Sequence, residues 1–193
     1  LLDVLLGNQV EADLHVVRMR GYVRDGWYDD TGLAWVPPSP NLRSLREATL
    51  YPGVALLEGA NVSVGRGTDA PFEQVGADWI KGRELAAYLN RRLIPGVRAY
   101  PTRFTPASSN FAGQNVEGIR FVITNREAFK STRLGLELAA ALLKLNQGKI
   151  RLSANEKLIA NRKTIREIEA GREPRLLAQR QEESLGEFLK RRE

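Results

Sequence analysis

The chain has 193 residues, 42% of them hydrophobic and 27% charged, a balance that supports a buried core and excludes the hydrophobe-poor, high-charge composition of a disordered chain. With no cysteine and a single histidine, His15, disulfides, zinc–thiolate sites, thiol nucleophiles and a histidine-rich metal site are excluded, which leaves carboxylates as the available catalytic groups. The formal charge of +6 owes much to the stretch from Arg151 to Arg192, so no nucleic-acid partner is expected. No apolar run is long enough to span a bilayer.

Taken in order, Leu1-Leu2-Asp3-Val4-Leu5-Leu6 reads as the middle of an apolar helix without a capping residue before it, and the chain is expected to be cut upstream. The helix is predicted to residue 9 and to feed a strand over Ala12–Met19, with His15 as a structural histidine inside it. Residues 21–41 hold Trp27, Tyr28 and Trp35 and the run Pro37-Pro38-Ser39-Pro40, an aromatic loop stiffened by proline. Asn41 is placed to cap a helix to about Leu50, Pro52-Gly53 punctuates it, and Val54-Ala55-Leu56-Leu57 has the length and continuity of a buried strand ending at Glu58. A glycine-rich loop over 59–76 precedes a helix at 83–92, strands at 98–104 and 119–125, and a helix at 134–146. Beyond residue 148, charged helices are predicted near 154–170 and 175–191, parted by Gly171 and Pro174. The pattern predicts a mixed α/β domain over 1–148, a small mixed sheet flanked by helices, with a charged helical extension over 149–193 packing on it.

Glu58 draws attention because a carboxylate directly after a buried strand stands where ligands collect in α/β sheets. The alternative is that it only accepts backbone N–H bonds from the glycine-rich loop. Gly65-Arg66-Gly67-Thr68 sets a guanidinium between two glycines, a placement that lets backbone approach a ligand while the fork is offered to a carboxylate or phosphate. The alternative there is a tight turn whose arginine pairs with a neighbouring Asp or Glu. The motif lacks the Gly-Lys-Ser/Thr of a nucleotide-binding loop and the third glycine of a dinucleotide fingerprint. Trp27, Tyr28 and Trp35 fit a sugar-stacking platform or domain interface, or equally a satellite core beneath a long loop.

The ordered run from Trp27 to Asn41, then Tyr51-Pro52-Gly53, Glu58-Gly59-Ala60-Asn61-Val62-Ser63-Val64-Gly65-Arg66-Gly67-Thr68 and Pro71-Phe72, resembles the NamZ-like exo-β-N-acetylmuramidases. The resemblance implies a two-part protein with a Rossmann-like amino-terminal domain and a sugar-binding cleft between the parts, of which this chain is the second. It implies removal of non-reducing-end N-acetylmuramic acid from peptidoglycan fragments, a muramyl sugar or muropeptide as partner beside the protein's own amino-terminal domain, a periplasmic or secreted location, and no metal or cofactor. On that footing Glu58 contributes a catalytic carboxylate whose partner lies in the amino-terminal half, and Arg66 grips the lactyl carboxylate of muramic acid. Asn61, Ser63 and Thr68 hydrogen-bond the sugar, and Trp35 and Asn41 complete the substrate-binding set. The rival expectation is a non-catalytic glycan-binding or scaffold domain. The chain departs from the family pattern at Ala60 and Val64, where Thr and Glu are usual, and this bears on substrate preference.

Overall fold

The computed structural model describes residue 13 and residues 15–192. These fall into two compact units, one of residues 35–178 and one formed by the described residues before 35 and after 178. The larger unit carries helix α1 (Leu45–Val54), a 3-10 turn (Ala55–Leu57), strand β1 (Gln74–Ala77), α2 (Gly82–Arg91), β2 (Val97–Phe104), β3 (Val116–Ile123) and α3 (Ser131–Leu145). A 3-10 turn (Leu152–Asn155), α4 (Glu156–Ile159) and α5 (Arg162–Glu169) follow, and α6 (Pro174–Arg192) begins there. The fold is mixed α/β, as the pattern predicts. The sheet has the order β1-β3-β2, and its pairing is antiparallel throughout rather than mixed as expected.

Alternation places Val97 and Ala99 of β2 with Ile119 and Phe121 of β3 and Val75 of β1 in the core. Leu85, Ala86 and Leu89, one face of α2, pack against them, and Leu134, Leu138 and Leu142 of α3 join the same core. β2 is an edge strand, and Asn90 of α2 covers part of its open edge: its amide donates to Ala99 O at 2.8 Å and accepts from Ala99 N at 3.0 Å.

Helix α1 departs from the sequence reading at both ends. Ser44, not Asn41, is its cap: the hydroxyl accepts from Glu47 N at 3.2 Å, and the Glu47 carboxylate accepts from Ser44 N at 3.0 Å. The helix also runs through Pro52 and continues as the 3-10 turn, so Val54–Leu57 is helical, and Glu58 follows a helical turn rather than a strand. A short apolar run buried on nearly every side has no periodicity to separate the two states. The proline is tolerated because Ser131 Oγ enters the gap, accepting from Gly53 N at 2.8 Å and donating to Leu50 O at 2.9 Å. Ser131→Ala leaves the buried Gly53 N–H without its acceptor, and a loss of about 1–3 kcal/mol is expected in a urea melt; a loss below roughly 0.5 kcal/mol contradicts this role.

In the smaller unit the predicted strand over 12–19 is not formed at the described positions: residue 13 and residues 15–19 carry no regular structure. His15 is 84% exposed beside Asp13 at 3.1 Å rather than inside a strand. The predicted helix over 1–9 lies outside the described residues. Tyr28–Thr31 form a 3-10 turn, and Tyr28 Oη donates to Ala34 O at 2.8 Å. The charged segment after residue 148 is helical as read, but broken at Ala160, which takes a left-handed φ of 51° before Asn161 caps α5.

Candidate functional site

The glycine-rich segment from Glu58 to Glu73 is a tightly fastened loop. Ser63 and Gly76 exchange two backbone bonds, of 2.8 and 3.0 Å, which tie the loop's start to β1. Asn110 clamps it from the 106–113 turn, its amide donating to Ala60 O at 3.0 Å and Val62 O at 2.9 Å, while Ala107 N donates to Gly67 O at 2.8 Å. Gly65 and Gly67 have φ of 81° and 77°, a region that favours glycine. Space gives a second reason at Gly67: a Cβ there would sit 2.5 Å from Ser108 N.

Between the two glycines, Arg66 meets Glu58. Its Nε makes a close ion-pair contact with Glu58 Oε1, but forms no hydrogen bond of good angle, so the contact is chiefly one of charge. The guanidinium carbon lies 5.1 Å from the centre of the Phe72 ring, a cation–π support, and Tyr51 packs edge-on against that ring at 4.8 Å. Phe72 itself has a φ of 60°, a left-handed conformation that a bulky residue keeps only where its surroundings hold it. The Glu58 and Arg66 side chains are 26% and 32% exposed. The outer Nη edge of Arg66 and Glu58 Oε2 carry no hydrogen bond among the described residues.

The other predicted site residues are placed differently. Thr68 Oγ1 donates to Gly65 O at 2.6 Å and accepts from Ala70 N at 3.1 Å and Gln74 Nε2 at 2.9 Å, so its hydroxyl organises the loop. Ser63 is buried, its Oγ accepting from Gly65 N at 3.3 Å. Asn61 holds the 149–151 backbone, donating to Lys149 O at 2.8 Å and accepting from Arg151 N at 2.8 Å. Trp35 and Asn41 sit ahead of α1 with local bonds: Trp35 Nε1 donates to Leu42 O at 3.1 Å, and Asn41 N to Ser39 Oγ at 3.3 Å. Of the predicted set, then, the structure brings Glu58 and Arg66 into direct contact and gives Asn61, Ser63 and Thr68 framework bonds. No cluster of three or more His, Cys, Asp or Glu able to hold a metal occurs among the described residues, and no described helix is long and apolar enough to cross a membrane.

Sequence reasoning did not assign Glu73. It is buried between two arginines: Arg46 Nε donates to its Oε1 at 2.7 Å and Arg120 Nη2 to its Oε2 at 2.9 Å. Burial works against the charge of Arg120, yet the Glu73 bond and charge outweigh it and raise the guanidinium pKa. The available signal was an acid in an otherwise uncharged stretch, Ala70-Pro71-Phe72-Glu73-Gln74-Val75.

The fold recurs in two solved structures of DUF1343 family proteins from Bacteroides fragilis NCTC 9343. One has a TM-score of 0.68 at 25% identity, covering 88% of this chain and 44% of that one. The other has 0.58 at 25% identity, covering 81% and 42%. The family model described as exo-beta-N-acetylmuramidase NamZ, C-terminal, matches residues 49–193, and the corresponding N-terminal model matches residues 4–46. The peptidoglycan beta-N-acetylmuramidase NamZ of Bacillus subtilis (strain 168) is 40% identical over 129 residues, 67% of this chain and 31% of that protein. The chain therefore belongs to the NamZ exo-β-N-acetylmuramidase family and spans about a third of the length of that relative. The two family models meet near residues 46–49, so the aromatic loop from Trp27 to Asn41 falls within the N-terminal one.

Proposed function

We propose that this chain is the carboxyl-terminal part, with a segment of the amino-terminal part before it, of a periplasmic or secreted glycoside hydrolase that removes non-reducing-end N-acetylmuramic acid from peptidoglycan fragments in cell-wall turnover, and that it supplies one wall of the sugar site. The observation that carries the reading is the half-engaged guanidinium of Arg66. Its inner Nε faces Glu58, its plane rests on Phe72, and its outer edge is open. That edge presents two parallel N–H donors in the geometry that a carboxylate accepts bidentately, and the lactyl group gives muramic acid the carboxylate that glucosamine lacks.

Glu58 serves this arrangement by fixing Arg66, with the bond-breaking groups on the amino-terminal part of the protein. A second reading rests on its unengaged Oε2: Glu58 is itself one of the two carboxyl groups that glycoside hydrolysis normally uses. Glu58→Gln in the full-length protein separates the two, with release of chromophore from a chromogenic N-acetyl-β-muramide as the readout. Loss of a positioning partner is expected to raise KM about tenfold with little change in kcat. A fall in kcat of about a thousandfold or more would assign Glu58 to the chemistry instead. Hydrolysis by residues 1–193 alone would contradict a site shared with the amino-terminal part.

A further inference from the structure

The face of the sheet turned away from α2 carries a second set of arginines. Tyr100 of β2 stands directly opposite Arg120 of β3, and Arg98 opposite Val122 two pairs further along, so all four share one face. Tyr100 is 42% exposed. Arg46 comes up beside Arg120 from α1, the two guanidinium groups held by the single buried carboxylate of Glu73. Each arginine gives that carboxylate one hydrogen bond, and the Arg46 side chain remains 58% exposed. With Arg98 on the same face, three cations meet two acids, Glu73 and the Asp69 that also acts on Arg120, next to an aromatic ring, which is the composition of a site for an anionic sugar: guanidinium for the acid, ring for the sugar face.

This face neighbours the Arg66 site. Phe72, under Arg66, and Glu73, between Arg46 and Arg120, are adjacent residues. Gln74 pairs with Arg120 in the β1–β3 register, and its side chain donates to Thr68 of the glycine-rich loop. Gln74, Arg120 and Tyr100 lie side by side on three neighbouring strands, so Arg120 stands one strand, about 5 Å, from the residue that anchors the glycine-rich loop. In a peptidoglycan strand, muramic acid recurs every second sugar, so a second cationic site beside the first can meet the next carboxylate along.

We propose that the Arg46–Arg120–Tyr100 face is a second glycan subsite, which takes the next carboxylate-bearing muramic acid of a peptide-free strand whose terminal residue occupies the Arg66 site. The inference rests on the function proposed above. Its test uses the full-length protein with two substrates: the chromogenic muramide, which reaches only the first site, and a tetrasaccharide of alternating N-acetylmuramic acid and N-acetylglucosamine with muramic acid at the non-reducing end. Tyr100→Ala, at an exposed side chain without a part in the Glu73 ion pairs, is expected to raise KM for the tetrasaccharide about tenfold, the factor for losing one stacking contact. Turnover of the chromogenic muramide should stay within about twofold. An unchanged tetrasaccharide KM overturns the subsite. Equal losses on both substrates with a lowered melting temperature also overturn it, and mark the face as a docking surface for the rest of the protein. A wild-type protein that cleaves neither substrate would sink the underlying functional reading and this inference with it.

Discussion

Glu137→Ala is expected to lower stability by about 3–5 kcal/mol, because it strips a buried carboxylate from between charges that remain. Glu137 lies on the core side of α3 at 1% exposure. It accepts from Arg92 Nε at 2.7 Å and Arg92 Nη2 at 3.3 Å, and Arg133 Nη2 lies 3.6 Å away. Arg92 also pairs with Glu173, and Arg175 donates to Arg92 O at 2.9 Å. One acid thus organises the end of α2, the face of α3 and the start of α6. The Arg92 pKa is raised, with the Glu137 hydrogen bond the largest cause and burial opposing it; a guanidinium is charged with or without that partner, so in the variant Arg92 keeps only its Glu173 pair and loses both Glu137 bonds, and Arg133 loses its nearby acid. Glu137→Gln, which keeps one acceptor, should lose less. Urea melts of the two variants check the order, and a loss under about 1 kcal/mol for the alanine variant would contradict the role given to Glu137.

Gly118→Ala is expected to exceed even that, preventing recovery of folded protein. In β3, Gly118 pairs with Gly76 of β1 and Thr102 of β2. A Cβ on it would lie 2.0 Å from Val75 O and 2.6 Å from Gly76 Cα. Both are backbone atoms in the middle of the sheet, so no rotamer change relieves the clash. The neighbouring Gly82 repeats the constraint from the helix side: its Cβ would lie 2.2 Å from Gly118 O, and its N–H donates to Glu117 at 2.8 Å. Relief needs β1 or α2 to move off β3, with a loss above about 4 kcal/mol. Soluble yield and circular dichroism report it; a variant that melts within a few degrees of the parent would show that the sheet can absorb the methyl group.

The elements that were legible in the sequence have one face in water. α2, predicted at 83–92, spans 82–91, and β2, predicted at 98–104, spans 97–104, because partial exposure imprints a period on the pattern. Val54–Leu57 and β1 have no such imprint. The first is nearly all buried and helical where a strand was predicted; the second, Gln74–Ala77, is buried at every residue and lay unread inside the glycine-rich loop. In the site, the glycines around Arg66 are informative in sequence because a left-handed backbone limits which residues fit, and the pairing of that arginine with a nearby acid was one of the two readings its motif left open. That the acid is Glu58 and the support Phe72 follows from loop geometry that spacing does not encode. Thr68 and Asn61 show the converse: polar residues of the same motif whose bonds are spent on the protein framework, within the loop for Thr68 and on the 149–151 backbone for Asn61.

The central claim is that the open edge of Arg66 recognises the lactyl carboxylate, and inhibition of the full-length protein by free N-acetylmuramic acid and by N-acetylglucosamine tests it most directly, with and without Arg66→Lys. Lysine keeps the charge and loses the fork. The account predicts a Ki for muramic acid raised about tenfold in the variant, with the glucosamine value unchanged. Equal weakening of both sugars, or no change in either, would contradict it.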